Sequence, residues 1–520
     1  MLKRVATNLI SNYLLTIVSM VLGFILVPFL IHKLGKEAYG LIVLAESTIL
    51  IFEVITTSIR IALSRHAAFC FAEGKSEDFV DYLSTGRVIS YGAAALVFVF
   101  ALILSSFFSV VFRMPPEYVV PAETLFLLIS LAFLMTIINS VYWSVLYAHQ
   151  RFDLINIATS GGLIVRAVFL RLLFSFLPAK FVNLITYGFI YLAMVWADNS
   201  LVYLWSRRIM PTLRLSVKRF QKNKLREIMS FTTYTSLTRV NSVLYDSMGS
   251  LLINRFWGPA ANAVYSIASK FPSLMERLFV SAAWSLTPVL TGFVAKNDRE
   301  NLTKLYAVYT KLITTLTAPI CFVLIFLADP LLRFWVGPEF KSASFMMILM
   351  MLPLLIAIPY SISGCIYNAY AKIKLPSQMG FVAAVSFLVM SYFFGVTLSM
   401  GLLGVVVAST VASVGYGTFT VIYASRTASL PVVYYFKTAY CRPMLWSALV
   451  IGGAFGSANL FGTDLSIRPA LVAVVALLVI VDYIGAYFFV LGTDERRQIR
   501  DVAGSMLSKI SGSKKEGLQG

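Results

Sequence analysis

Apolar runs of about 20 residues recur from one end of this chain to the other, and each is long enough to cross a bilayer as a helix. Inside lipid a segment must satisfy its own backbone hydrogen bonds, so continuous runs of this length are read as helices. A membrane β-barrel would show short segments of alternating hydrophobicity, and these runs are continuous, so a barrel is excluded. The spans fall at 5–31, 38–63, 88–112, 122–147, 154–177, 181–205, 228–253, 261–292, 306–328, 342–367, 375–399, 401–425, 443–461 and 469–491. The seventh is weak by hydropathy. With 59% hydrophobic and 13% charged residues over 520 positions, the chain lies far outside the soluble range. The expected fold is an all-α polytopic membrane protein with about fourteen transmembrane helices.

Lysine and arginine set the orientation. With the N-terminus inside, about 28 of the 43 fall in inside segments. The densest is the stretch SRRIMPTLRLSVKRFQKNKLRE at 206–227. Both termini are therefore expected in the cytoplasm, in a multi-pass protein of a bacterial cytoplasmic (inner) membrane. The net charge of +19 reads as this topology signal plus attraction to anionic phospholipid, and no nucleic-acid partner is needed. Lys3 and Arg4 precede an apolar run too long for a signal peptide, so the first span is read as uncut. Cys70, Cys321, Cys365 and Cys441 show neither metal nor redox spacing, and His32, His66 and His149 lie singly near span ends, so no metal site is expected. The outside loops are short, which weighs against membrane glycosyltransferases and polysaccharide polymerases with large extracytoplasmic domains.

An internal repeat divides the chain. LGKEAYGLIVLAES from Leu34 aligns with WGPAANAVYSIASK from Trp257, pairing Gly35 with Gly258, Ala45 with Ala268 and, further on, Glu53 with Glu276. YAHQRFDL from Tyr147 aligns with NAYAKIKL from Asn368 at nearly the same offset. Spans 1–6 and 7–12 then form two six-helix lobes. An even number of helices per lobe gives both the same orientation, a parallel repeat about an axis along the membrane normal. The expected organisation is an N-lobe at 1–205, a basic cytoplasmic linker at 206–227, a C-lobe at 228–425, two added helices within 426–491 and a basic cytoplasmic tail at 492–520. Two lobes rocking about a central cavity suit alternating access.

Ionisable residues at bilayer depth are costly and normally face a partner or a cavity. In span 2, Glu46, Glu53 and Arg60 are seven apart and lie almost on one line of a helix, with Thr56 and Thr57 extending that face. In span 7, Thr232, Thr235, Arg239, Ser242, Asp246 and Gly249 share one face. Span 8 carries Lys270, Glu276 and Arg277 near Pro272 and Pro288, and span 5 carries Arg166 and Arg171 after Gly161 and Gly162. Arg171 is read as snorkelling outward. For Arg60 both a cavity and an interfacial position stand open, and Asp246 has the alternative of pairing with Arg239. Asp198 and Asn199 in span 6, Lys311 in span 9 and Asp482 in span 14 lie within a few turns of a helix end and are read as interfacial. Deep cations, arginines above all, suit phosphate oxygens by bidentate hydrogen bonding. The expected anion site is Arg60, Arg166, Arg239, Lys270 and Arg277. The carboxylates Glu46, Glu53, Asp246 and Glu276 are the expected polar and coupling groups, which neutralise the cations or bind H+ or Na+. No other cofactor and no covalent chemistry, hence no enzyme, is expected.

The stretch PFLIHKLGKEAYGLIVL, from Pro28 to Leu44, resembles the start of Wzx-type polysaccharide flippases of the multidrug/oligosaccharidyl-lipid/polysaccharide (MOP) exporter superfamily. A proline near the end of helix 1 followed by L-G-x-x-x-Y-G is matched here by Pro28, Leu34, Gly35, Tyr39 and Gly40. RFDLINIATSGG, from Arg151, is also similar to the family. The resemblance covers roughly 1–425. It implies two six-helix lobes around a cavity lined chiefly by helices 1, 2, 7 and 8, and a flippase moving undecaprenyl-diphosphate-linked sugars to the outer leaflet. Polysaccharide polymerase and assembly proteins are the partners it implies. Lipid II flippases of the superfamily have two further helices that form a groove for the lipid tail, and spans 13 and 14 resemble that addition. Those flippases carry an arginine in helix 1, and span 1 here has none after Arg4. The rival readings are a MATE-like H+- or Na+-coupled drug antiporter, with carboxylates dominating the cavity, and a structural component of a glycan assembly complex.

Overall fold

The computed structural model describes residues 2–176, 180–284, 287–429, 433, 436–460, 469–493 and 495–497. No strand occurs among them. The N-terminal half comprises α1 (Leu2–Leu34), α2 (Lys36–Ala72), α3 (Ser76–Ser106), the single turn α4 (Phe108–Val111), α5 (Val119–Ile138), α6 (Ser140–Ala148), α7 (Phe152–Phe176) and α8 (Lys180–Ile209). Then follow α9 (Lys222–Trp257), α10 (Pro259–Trp284), α11 (Thr287–Ala295), α12 (Arg299–Phe326), α13 (Ala328–Val336), α14 (Lys341–Ala369), α15 (Lys374–Tyr392) and α16 (Leu402–Thr427). Two more long helices, Arg442–Leu460 and Pro469–Phe489, follow among the described residues.

Among the described residues every expected span falls largely on helix. Among the described residues nine helices are long and apolar enough to cross a membrane by length and composition. The weak seventh span is a continuous helix of 36 residues. The eighth is described as helix over Pro259–Trp284 and Thr287–Ala295.

Backbone conformation carries the repeat further than residue matches do. Gly35 (φ 88°, ψ 170°) and Gly258 (φ 82°, ψ 179°) take the same left-handed conformation between paired helices, one that side chains disfavour. Each donates its N–H four residues back, Gly35 to Ile31 at 2.8 Å and Gly258 to Asn254 at 3.0 Å. Gln150 and Ala371, the second aligned pair, both have φ 55°. Gly74 and Asn297 match in the same way, with φ 70° and 55°. The 3-10 turns Pro116–Tyr118 and Pro338–Phe340 complete the correspondence.

The chain packs as two compact units, Met1–Ile267 with Ser377–Ser409, and Ala268–Pro376 with Thr410–Gly520. In the first, α2 is the central element. Leu41, Leu44, Ile49, Ile59 and Leu63 are buried along it. Its first turns meet the start of α10 at backbone distance, since a Cβ on Gly40 would lie 1.8 Å from the Pro259 carbonyl oxygen. Asn262 donates through Nδ2 to the Gly40 carbonyl at 3.1 Å and accepts from Ser250 Oγ at 2.8 Å.

In the second unit Phe326 stacks on Phe455, with ring centroids 5.4 Å apart, above Leu327 and Ile451. Two residues expected at the interface are instead interior. Lys311 is buried and donates to Glu495 at 2.7 Å. Asp482 is fully buried between the last two helices, accepting from Ser447 Oγ at 3.2 Å, while Trp446 Nε1 donates to its carbonyl at 3.1 Å. Nearness to a helix end did not decide their position; the partner helices did.

Gly40→Val is expected to lower stability by about 1–3 kcal/mol through overpacking, read as a fall in the thermal midpoint of the purified protein. Gly23→Val, where a Cβ meets nothing within 4 Å, is the matched control and leaves the midpoint unchanged.

Candidate functional site

The heptad-spaced charges of α2 define a cavity inside the first unit. Glu46, Glu53 and Arg60 line it, with Thr56 and Thr57 beside them. Facing them are Ile129, Phe133 and Thr136 of α5, Thr159, Gly162 and Arg166 of α7, and Tyr191, Met194 and Asp198 of α8. The cavity holds about 440 Å³, the size range of small-ligand pockets.

Each charge is held differently. Glu46 accepts a hydrogen bond from the buried Tyr187 hydroxyl at 2.8 Å. The Arg60 guanidinium carbon lies 5.2 Å from the Trp143 ring centroid, and that of Arg166 lies 5.1 Å from the Tyr191 centroid. Both are within cation–π range. The Nε of each arginine is buried without a hydrogen-bond partner, as is Thr56 Oγ1. Arg60 feels the charge of Glu53, and Arg166 feels those of Glu46 and Asp198. Asp198 fits because residue 162 is glycine: a Cβ there would lie 2.1 Å from its Oδ1. Beside it Asn199 donates to the Val195 carbonyl at 2.8 Å. The result is three carboxylates and two guanidiniums around a small space, with aromatic rings backing both cations.

Of the sequence-derived site residues, Glu46, Glu53, Arg60 and Arg166 are brought together here. Arg60, for which both positions stood open, lines this cavity. Lys270, Glu276 and Arg277 are exposed on α10, in the second unit, and do not line this cavity. The side chains of Arg239 and Asp246 lie outside the described residues. Arg171 is exposed, with its guanidinium 5.1 Å from the Phe29 ring centroid.

The expectation for Asp198 is corrected. It was read as interfacial from its distance to a helix end, yet it faces the cavity. Tyr187, Tyr191, Trp143 and the role of Gly162 were not anticipated. A signal existed for two of them: Tyr187 and Tyr191 stand with Asp198 at intervals of four and seven, the spacing of one helix face.

A family model described as polysaccharide biosynthesis protein matches residues 34–345, more than half of the chain. The chain belongs to this family. A relative from Bacillus subtilis (strain 168), the uncharacterized membrane protein EpsK, is 22% identical over 500 residues, covering 95% of this chain and 96% of its own. Among solved structures, an inward-facing multidrug resistance MATE family transporter of the MOP superfamily is similar with a TM-score of 0.67 and 13% identity, covering 82% of this chain and 96% of its own. The lipid II flippase MurJ in an inward closed conformation is similar with a TM-score of 0.63 and 18% identity, covering 93% and 98%. The fold is that of the MOP transporters, as the helix 1–2 motif implied. Membership of the polysaccharide biosynthesis family and this fold together describe a multi-pass membrane protein.

Tyr187→Phe is expected to lower stability by about 1.5–3 kcal/mol, the worth of a hydrogen bond to a charged group. Tyr191→Phe keeps the ring under Arg166 and is expected to shift it by less than about 0.5 kcal/mol. Thermal unfolding of both variants in one lipid environment checks the difference.

Proposed function

We propose that the protein is an alternating-access flippase. It moves a polyprenyl-diphosphate-linked oligosaccharide from the cytoplasmic to the outer leaflet of a bacterial cytoplasmic membrane, for synthesis of a surface polysaccharide such as O-antigen, capsule or exopolysaccharide. Both termini are cytoplasmic in this reading. The lobes at 1–205 and 228–425 alternate, and 426–491 supplies the added helices. Polysaccharide polymerase and assembly proteins receive the product, and anionic phospholipid surrounds the basic face.

The observation that carries it is the pair of guanidiniums in the 440 Å³ cavity, each backed by an aromatic ring and each with a buried, unpartnered Nε. Guanidinium groups match phosphate oxygens, and aromatic faces next to carboxylates offer apolar contact and hydrogen-bond acceptors for sugar hydroxyls. Arg239, Lys270 and Arg277 are assigned to the diphosphate path as well. The lipid tail stays in the bilayer throughout, so only the polar headgroup requires a wet route. Glu46, Glu53, Asp246 and Glu276 are the groups to which a coupling H+ or Na+ is assigned.

One observation favours a second reading, a MATE-like drug antiporter. Glu46, Glu53 and Asp198 outnumber Arg60 and Arg166 around the cavity, which suits a cation. The two readings separate in flux assays.

The test is translocation of a fluorescent polyprenyl-diphosphate saccharide in proteoliposomes, read with a leaflet-specific probe. Arg60→Ala and Arg166→Ala are each expected to lower flux roughly ten- to a hundredfold, the loss of one charged hydrogen bond at about 1.5–3 kcal/mol. Arg239→Ala and Lys270→Ala are expected to act in the same direction. Wild-type flux in all four variants would sink the cationic-site reading, and cation efflux without saccharide movement would establish the antiporter. Under a pH or Na+ gradient Glu53→Gln is expected to remove the gradient's stimulation while leaving the downhill rate.

A further inference from the structure

Beyond the transport reading, the contact between the start of α3 and the 206–227 segment calls for an explanation of its own. The segment is no loose tether. Leu213 and, just past it, Ile228 are fully buried among Ile59, Leu63, Phe79, Leu83 and Cys70. Above that layer lies a network of charges. Lys224 is nearly buried and donates to Asp78 at 2.6 Å, with Asp81 at 3.5 Å. Arg219 pairs with Glu77 at 2.9 Å and Asp81 at 3.3 Å. Gln221 donates through Nε2 to Asp81 at 2.7 Å. The Tyr82 hydroxyl donates to Glu227, and its ring has His66 stacked at 4.7 Å and the Lys224 ammonium at 4.7 Å.

Two considerations set this apart from ordinary bracing. A permanent brace is made at least as stable by apolar side chains, whereas charged contacts serve register and switching. The fold itself does not call for it either. At the repeat offset that pairs Gly74 with Asn297, the positions of Asp78 and Asp81 are Asn301 and Lys304. There Lys304 makes a local pair with Glu300 at 2.6 Å, and Asn301 bonds back to Asp298. The same helix start is formed in the second repeat without the acidic pair.

We infer that Glu77, Asp78 and Asp81 with Arg219, Gln221 and Lys224 form a reversible latch that holds the first turn of α9 against α2 and α3, and that it opens once per transport cycle. Its position links it to the cavity. Arg60 and His66 are six residues apart on α2, roughly 9 Å at 1.5 Å per residue. Reorientation of α9 against α2 therefore has to release the latch. Its outer partners Glu77, Asp78 and Arg219 are exposed, and such contacts open at low cost, while Lys224 and Asp81 form its buried centre.

Cys70 lies under the latch and is 3% exposed, so its alkylation reports opening without reference to transport. The full-length protein with Cys321, Cys365 and Cys441 changed to Ser is placed in lipid vesicles and treated with a maleimide. Asp78→Asn with Asp81→Asn is expected to raise the labelling rate of Cys70 at least about tenfold. The same rise is expected of the unmutated latch in about 1 M NaCl, where the Debye length is about 3 Å. The exchange Asp78→Lys with Lys224→Asp is expected to return the rate towards that of the parent. Equal rates in parent, neutralised variant and high salt would overturn the latch. A second arm rests on the flippase reading: Asp78→Cys and Lys224→Cys, in a background free of other cysteines, are joined by a reducible cross-linker. Saccharide flux is expected to stop on joining and return on reduction. Undiminished flux in the joined protein would make the contact a static brace and overturn the proposal. Absence of flux even after reduction would count against the flippase reading, and the Cys70 rates would still decide the latch.

Discussion

A charge at bilayer depth must have a partner, a cavity or water, and in this protein α2 carries that obligation for its neighbours. Its apolar face supplies Leu41, Leu44, Ile59 and Leu63 to the core. Its opposite line of Glu46, Glu53 and Arg60 cannot meet hydrocarbon. The surrounding helices are adapted to it: Tyr187 of α8 reaches Glu46, Trp143 of α6 backs Arg60, and Gly162 of α7 makes room for Asp198. The cavity is the space these adaptations leave. Fold and site are one solution, because closing the unit around α2 without a polar pocket would strand its charges.

The repeat shows how much of that solution is generic. Both halves use the same glycine hinge between paired helices, the same left-handed turn residues and the same 3-10 turn. Chemistry differs where the backbone does not. Glu53 lines the cavity of the first unit, while its repeat counterpart Glu276 belongs to the second unit. Asp78 and Asp81 hold the linker, while at the matching positions Asn301 bonds to Asp298 and Lys304 pairs with Glu300. A duplicated scaffold has been charged asymmetrically.

Sequence reasoning succeeded where a single element carries the constraint and failed where two elements share it. The stripe on α2 is a property of one helix, and so is the continuity of α9 despite its polarity. Asp198, Lys311 and Asp482 went wrong together for one reason. Their distance from a helix end suggested access to water, yet each is enclosed by a helix far away in the chain, through Gly162, Glu495 and Ser447 respectively. The docking of the basic linker was invisible for the same reason, since its eight cations read as a topology signal until Asp78 and Asp81 are seen beside them.

The sequence by itself determined that this is a helical membrane protein, where its helices run, that the turns around Gly35 and Gly258 correspond, and which residues of α2 must share a face. These follow from hydropathy over the length of a bilayer and from the pitch of a helix, both local along the chain. Only the tertiary structure decided which charges meet. It placed Arg166 and Asp198 with the α2 stripe and left Lys270 and Arg277 on a different unit, and it turned a basic linker into a clasp. Such pairings depend on contacts between helices distant in sequence, and helix pitch carries no record of them.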